Sequence, residues 1–102
     1  MVVWPYMDAR LLFSDKYIYF DGAIREMVIW QLPKPDPQRV HGLKYRLYYG
    51  FAGKNVLRYD NETGKGDHRH YKSQEEPYVF ISVERLIFDF RTDINRLRGE
   101  NP

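Results

Sequence analysis

Cysteine is absent from the chain, which excludes a disulfide framework, a thiolate nucleophile and a cysteine zinc site. A small domain that stands without disulfides is expected in the cytoplasm. No run approaches the roughly 18–20 consecutive apolar residues that span a bilayer, so no membrane association is expected. The opening Met1-Val2-Val3-Trp4-Pro5-Tyr6-Met7 is apolar. It lacks the basic flank, the length and the small-residue cleavage site of a signal peptide, and is not read as one. Internal repeats and low-complexity tracts are missing too. What the chain does have is apolar material: 43% of its 102 residues are hydrophobic and 17% aromatic. That composition argues against disorder and supplies one modest core, so a single domain over residues 1–102 is expected, with its core at roughly 10–98.

The net charge of +2 is small, but it is unevenly spread. Residues 1–40 are neutral, residues 41–73 carry +4 and all three histidines, and residues 74–102 carry −2. A basic middle suggests a polyanionic partner, although surface lysines and arginines also cluster by chance.

Residues 10–20 and 23–32 are rich in β-branched, aromatic and aliphatic side chains and flank Asp21-Gly22. Such a dipeptide predicts a two-residue hairpin turn with both positions at positive φ. Pro33, Pro35 and Pro37 then make an exposed connection. Leu43, Tyr45, Leu47, Tyr49 and Phe51 alternate with Lys44, Arg46, Tyr48 and Gly50, a period of two that predicts a half-buried strand. Ala52-Gly53-Lys54-Asn55 is expected to turn the chain into a fourth strand, roughly Val56 to Asp60, and a polar loop to lead to a short strand from His68. Glu75-Glu76-Pro77 reads as a break, with 78–81 either a last strand or the lead into a helix. From Ser82 the period changes. Val83, Leu86, Ile87, Phe90, Ile94 and Leu97 form a helical stripe, with Ser82 as N-cap, Arg96 and Arg98 suiting the C-terminal dipole and Gly99 as the stop. The expected fold is therefore α+β: an antiparallel meander sheet of about five strands with one C-terminal helix packed on one face. The other face would carry Lys44, Arg46 and Tyr48.

Chemistry, if present, is concentrated between Tyr59 and Tyr71. On an extended backbone His68 and His70 share one face while Arg69 and Tyr71 point the other way. Two imidazoles suit proton transfer at neutral pH, one as base and one as acid. On RNA, a base removes the 2′-hydroxyl proton, an acid protonates the leaving 5′-oxygen, and cations stabilise the phosphorane. Lys65, Arg58 and Arg46 are the candidate cations, and Asp60 or Asp67 would orient an imidazole or act as base. Lys44, Arg46, Arg58 and Arg69 would grip phosphates, and Tyr48 is the fair candidate for base stacking. Each feature also has a plain reading: a solvated turn, histidines bonded to backbone at a sheet edge, tyrosines in the core. The His-x-His pair is also compatible with a metal, His41, Asp60 or Asp67 supplying a third ligand. Gly64-Lys65-Gly66 lacks the spacing of a Walker A loop.

Several stretches together resemble the TumE-like toxins of toxin–antitoxin modules. They are Asp21-Gly22-Ala23-Ile24, Glu26-Met27-Val28-Ile29-Trp30, Lys44-Tyr45-Arg46-Leu47-Tyr48-Tyr49, Tyr59-Asp60-Asn61-Glu62, Gly64-Lys65-Gly66-Asp67-His68-Arg69-His70 and Glu76-Pro77-Tyr78. The resemblance covers about residues 11–95, and the Lys-Gly-Asp-His-Arg-His run is its most specific part. It implies a small cytoplasmic toxin that interferes with RNA or translation, neutralised by a helix-turn-helix antitoxin encoded beside it. The roles given above to His68, His70 and Lys65 come from their chemistry and not from the family. RelE-type ribonucleases begin with helices, whereas this chain begins with strands, so a mechanism shared with them is analogy only. The combined expectation is a metal-independent endoribonuclease toxin without a cofactor. The alternatives are a non-catalytic nucleic-acid- or partner-binding module and a metal-dependent hydrolase. An exposed edge strand and an arginine-rich helix would suit pairing with a partner, including a second copy in a homodimer.

Overall fold

A computed structural model describes residues 8–37, 39–61 and 66–99. Six strands precede one helix: β1 Arg10–Ile18, β2 Ile24–Gln31, β3 Leu43–Phe51, β4 Lys54–Asp60, β5 His68–Tyr71, β6 Gln74–Pro77 and α1 Val83–Leu97. The strands form a single antiparallel sheet in the order β1-β2-β3-β4-β5-β6. The α+β meander with a C-terminal helix is as the sequence predicts, with one strand more than expected. That strand is Gln74–Pro77, where Glu-Glu-Pro reads as a break. Proline is tolerated there because β6 is an edge strand and Pro77 its last residue. Residues 78–81 are the lead into the helix.

The turns divide differently from expectation. Asp21-Gly22 belongs to a longer loop in which the Gly22 N–H donates to Tyr19 O and only Gly22, at φ 91°, is left-handed. The two-residue turn with both φ positive is instead Ala52-Gly53, at 53° and 76°, between the paired Phe51 and Lys54.

The alternation of β3 sorts its side chains cleanly. Tyr45, Leu47 and Tyr49 join Ala23, Met27, Ile29, Leu57 and Tyr59 in the core, and Leu86, Phe90 and Ile94 of α1 close it. Ser82 caps the helix by accepting the Arg85 N–H at 3.0 Å, and Gly99, at φ 74°, follows the C-cap Arg98. Helix length at about 1.5 Å per residue is enough to cross the sheet. At 15 residues, the helix is not long or apolar enough to cross a membrane. Asn61 prolongs the β3–β4 pairing past the end of β4: its Oδ1 accepts the Tyr45 N–H and its Nδ2 donates to Leu43 O. Among the described residues, one face of the sheet carries no helix.

Candidate functional site

The open face is built by register. Arg46 pairs with Asp60 and Asp60 with His68; one step along, Tyr48 pairs with Arg58 and Arg58 with His70. Paired residues in an antiparallel ladder lie on one face, and neighbouring strands are about 4.8 Å apart. Six of the predicted residues therefore form two adjacent rows across β3, β4 and β5. Lys44 lies on the same face, two residues from Arg46 and opposite Trp30 of β2.

Alternation sends two others through the sheet. Asp67 pairs with His41, Nε2 to Oδ2 at 2.9 Å, and that ring lies 4.2 Å from the ring of Phe80. Arg69 donates to Asp93 at 2.9 Å and also bonds Glu76. The structure therefore separates Asp67 and Arg69 from the histidine pair. Lys65 lies outside the described residues.

Within the cluster the two imidazoles differ. The His68 side chain is 6% exposed, its Nδ1 lies 3.1 Å from Gly66 O, and its Nε2 lies 2.6 Å from Asp60 Oδ1. Both ring nitrogens are occupied. Asp60 Oδ2 in turn meets Arg58 Nε at 2.8 Å, so a buried carboxylate is held between a guanidinium and an imidazole. The Arg58 guanidinium offsets part of the cost of taking that charge out of water. His70 is 26% exposed, its Nδ1 is 3.8 Å from Glu75 Oε2, and its Nε2 has no partner among the described residues. Glu75 also lies 3.8 Å from His68 Nε2, so one carboxylate sits between the two rings; the sequence reading passed over it.

Arg46 is exposed, and its guanidinium lies over the Tyr48 ring, 5.0 Å from the centroid. Gly50 gives the Tyr48 side chain its room: a Cβ there would collide with the Tyr48 hydroxyl and stand 2.7 Å from Lys54 O. The open face thus presents one accessible imidazole, one stacked and uncommitted guanidinium and one guanidinium tied to a carboxylate. The metal alternative loses two of its third ligands, because His41 and Asp67 lie across the sheet from the His-x-His pair. No group of three or more His, Cys, Asp or Glu that could hold a metal ion occurs among the described residues.

The helix face holds a second polar centre that the sequence reading missed. Asp93 is buried and accepts from the Tyr59 hydroxyl at 2.5 Å as well as from Arg69. Burial and the Asp93 bond push the Tyr59 hydroxyl well above the ordinary tyrosine range. Burial and nearby Asp67 do the same to Tyr45, and burial with the Asp89 bond to Tyr78. The signal was present: Asp93 falls three residues after Phe90 and seven after Leu86, a charge on the apolar stripe.

Among curated proteins and among solved structures nothing matches the chain. The family model described as Toxin TumE, however, matches residues 7–98. That span includes all six strands, the helix and both polar centres, and on it the chain belongs to the TumE toxin family.

Proposed function

We propose that this toxin is a metal-independent endoribonuclease acting in the cytoplasm, with His70 as its proton-transfer group. The observation that carries the reading is the half-exposed His70, with a free Nε2, on the same face as Arg46, Arg58 and Tyr48. In this scheme His70 Nε2 takes the 2′-hydroxyl proton as O2′ attacks phosphorus. The P–O5′ bond breaks, and a water molecule protonates the departing oxygen. Arg46 and the free end of Arg58 neutralise the phosphorane, with Lys44 and Lys65 holding flanking phosphates. Tyr48, backed by Arg46, offers a stacking surface. Asp60 and His68 act as positioning residues that fix Arg58, and Glu75 adds negative charge beside the His70 ring. The expected sharing of acid and base roles between two rings gains no support from His68, whose nitrogens are both taken. Asp67 and Arg69 serve the opposite face.

A family of toxins implies an antitoxin, and we take that partner to be a helix-turn-helix protein encoded beside this chain. The test of the catalytic reading is RNA cleavage by the purified chain. His70→Ala should slow it at least about 100-fold, EDTA should leave it unchanged, and the products should end in 2′,3′-cyclic or 3′-phosphate. Cleavage by His70→Ala at the parent rate refutes it. The stacked, uncommitted Arg46 favours one second reading, RNA binding without chemistry. Affinity that falls with salt and no product at any enzyme concentration would establish that instead.

A further inference from the structure

The two edges of the sheet are finished in opposite ways. β6 is four residues long, carries Glu75 and Glu76, and ends in Pro77; short, charged, proline-bearing edges resist pairing. β1 is nine residues long, has no proline, and is exposed over eight of them. Of the eleven large apolar side chains exposed among the described residues, six lie between Leu11 and Phe20. Ile18 is 62% exposed and Phe20, at the tip of the hairpin, 99%. The pairing of β1 with β2 places Phe13, Asp15 and Tyr17 on the helix face and Ser14, Lys16 and Ile18 on the open face. Among the described residues, the edge therefore has no strand paired to its outer side and is flanked by apolar side chains on both faces. Such an edge accepts an extended segment of another chain.

From this edge we infer that β1 is where the antitoxin docks, adding an extended strand antiparallel or parallel to Arg10–Ile18. This inference rests on membership of the toxin family and not on the ribonuclease reading. A second copy of the chain fits the edge badly. Antiparallel self-pairing centred on Asp15 or on Lys16 sets like charges face to face. Centred on Ser14, it sets each Asp15 against the other copy's Phe13. The charge pattern also describes the proper occupant. Asp15 is already paired with Arg25 at 2.9 Å, whereas Lys16 has no ion-pair partner among the described residues. The incoming strand is therefore apolar on both faces and bears a carboxylate opposite Lys16.

The experiment uses the full chain and the neighbouring protein whose co-expression restores growth. Leu11→Lys combined with Ile18→Lys, two exposed positions, should weaken the complex at least tenfold, and Lys16→Glu should weaken it separately. Growth inhibition by each variant expressed alone should match the parent, which also shows that the variants fold. Amide exchange over residues 10–18 should slow at least tenfold on complex formation. Parent-like affinity in the variants would overturn the inference. So would amides of β1 that are already as protected as those of β3 in the free chain, or a free dimer that the variants split without changing antitoxin affinity. Failure of His70→Ala to abolish RNA cleavage would leave this result standing, so the two readings fail separately.

Discussion

Replacing Asp93 tests whether the helix is held to the sheet by a buried carboxylate as much as by apolar packing. Asp93 lies on the inward side of α1 and receives the Tyr59 hydroxyl at 2.5 Å and the Arg69 guanidinium at 2.9 Å. In Asp93→Ala the Tyr59 hydroxyl, on a residue 1% exposed, loses its acceptor; leaving such a group unsatisfied costs about 1–3 kcal/mol. Arg69 keeps Glu76 and partial contact with water, so its loss is nearer 1 kcal/mol. Releasing the carboxylate from burial returns part of this. The net expectation is a loss of about 1–3 kcal/mol, which for a chain of this size lowers Tm by about 5–20 °C. A cycle with Tyr59→Phe and Asp93→Ala isolates the bond itself and should give a coupling energy of about 1.5–3 kcal/mol, the range for hydrogen bonds to charged groups. Urea unfolding followed by far-ultraviolet circular dichroism reads both, provided the m-values agree. A coupling energy below about 0.5 kcal/mol would refute the reasoning, because then the hydroxyl and carboxylate do not stabilise one another.

Alkaline pH probes the buried tyrosines. Folded Tyr45 and Tyr59 keep their protons above the pH at which the unfolded chain ionises. Their contribution is therefore complete below about pH 10 and falls as pH rises beyond it, by up to about 1.4 kcal/mol per unit for each. Urea midpoints at pH 9, 10 and 11 should show this, with a shallower slope in Tyr59→Phe; an equal slope speaks against it. Gly50→Ala forces a Cβ to 2.7 Å from a backbone oxygen that cannot swing aside as the Tyr48 ring can. A loss of about 1–3 kcal/mol is expected in thermal melts, and a neutral result would mean that the strand yields there. Ser82→Ala removes the acceptor of the Arg85 N–H and should cost about 1 kcal/mol in the same melts, whereas Ser82→Asp should cost little. Arg46→Ala should reduce the salt dependence of RNA binding by about one phosphate contact, measured by fluorescence anisotropy across salt concentrations.

Much of the fold was legible because the signals were local. The period of two in β3 and the stripe from Val83 to Leu97 each follow from neighbouring residues, and Ser82 and Gly99 mark the helix ends as their chemistry suggests. Turn and edge geometry was less legible. The hairpin signal at Asp21-Gly22 overstated its own turn, while the turn expected over 52–55 proved tighter than read, closing on Ala52-Gly53 alone. β6 was hidden by its proline, which only an edge position excuses. In the candidate site, alternation correctly separated His68 and His70 from Arg69. It could not pair Asp60 with His68, because alternation within a strand does not fix the register of β5 against β4. Nor could it join His41 to Asp67, 26 residues apart, or reveal that one imidazole would be enclosed and the other left open.

The four residues of β5 meet a buried acid on each side of the sheet, Asp60 through His68 and Asp93 through Arg69. Sliding this strand by a single position would exchange the two faces, delivering a histidine to Asp93 and an arginine to Asp60 at the wrong height, and stranding both carboxylates in a poorly hydrated place. Greasy side chains forgive such a slip; these charges do not. The shortness of β5 is therefore no weakness in alignment, since electrostatic matching on both sides indexes it where hydrophobic contact alone would let it wander.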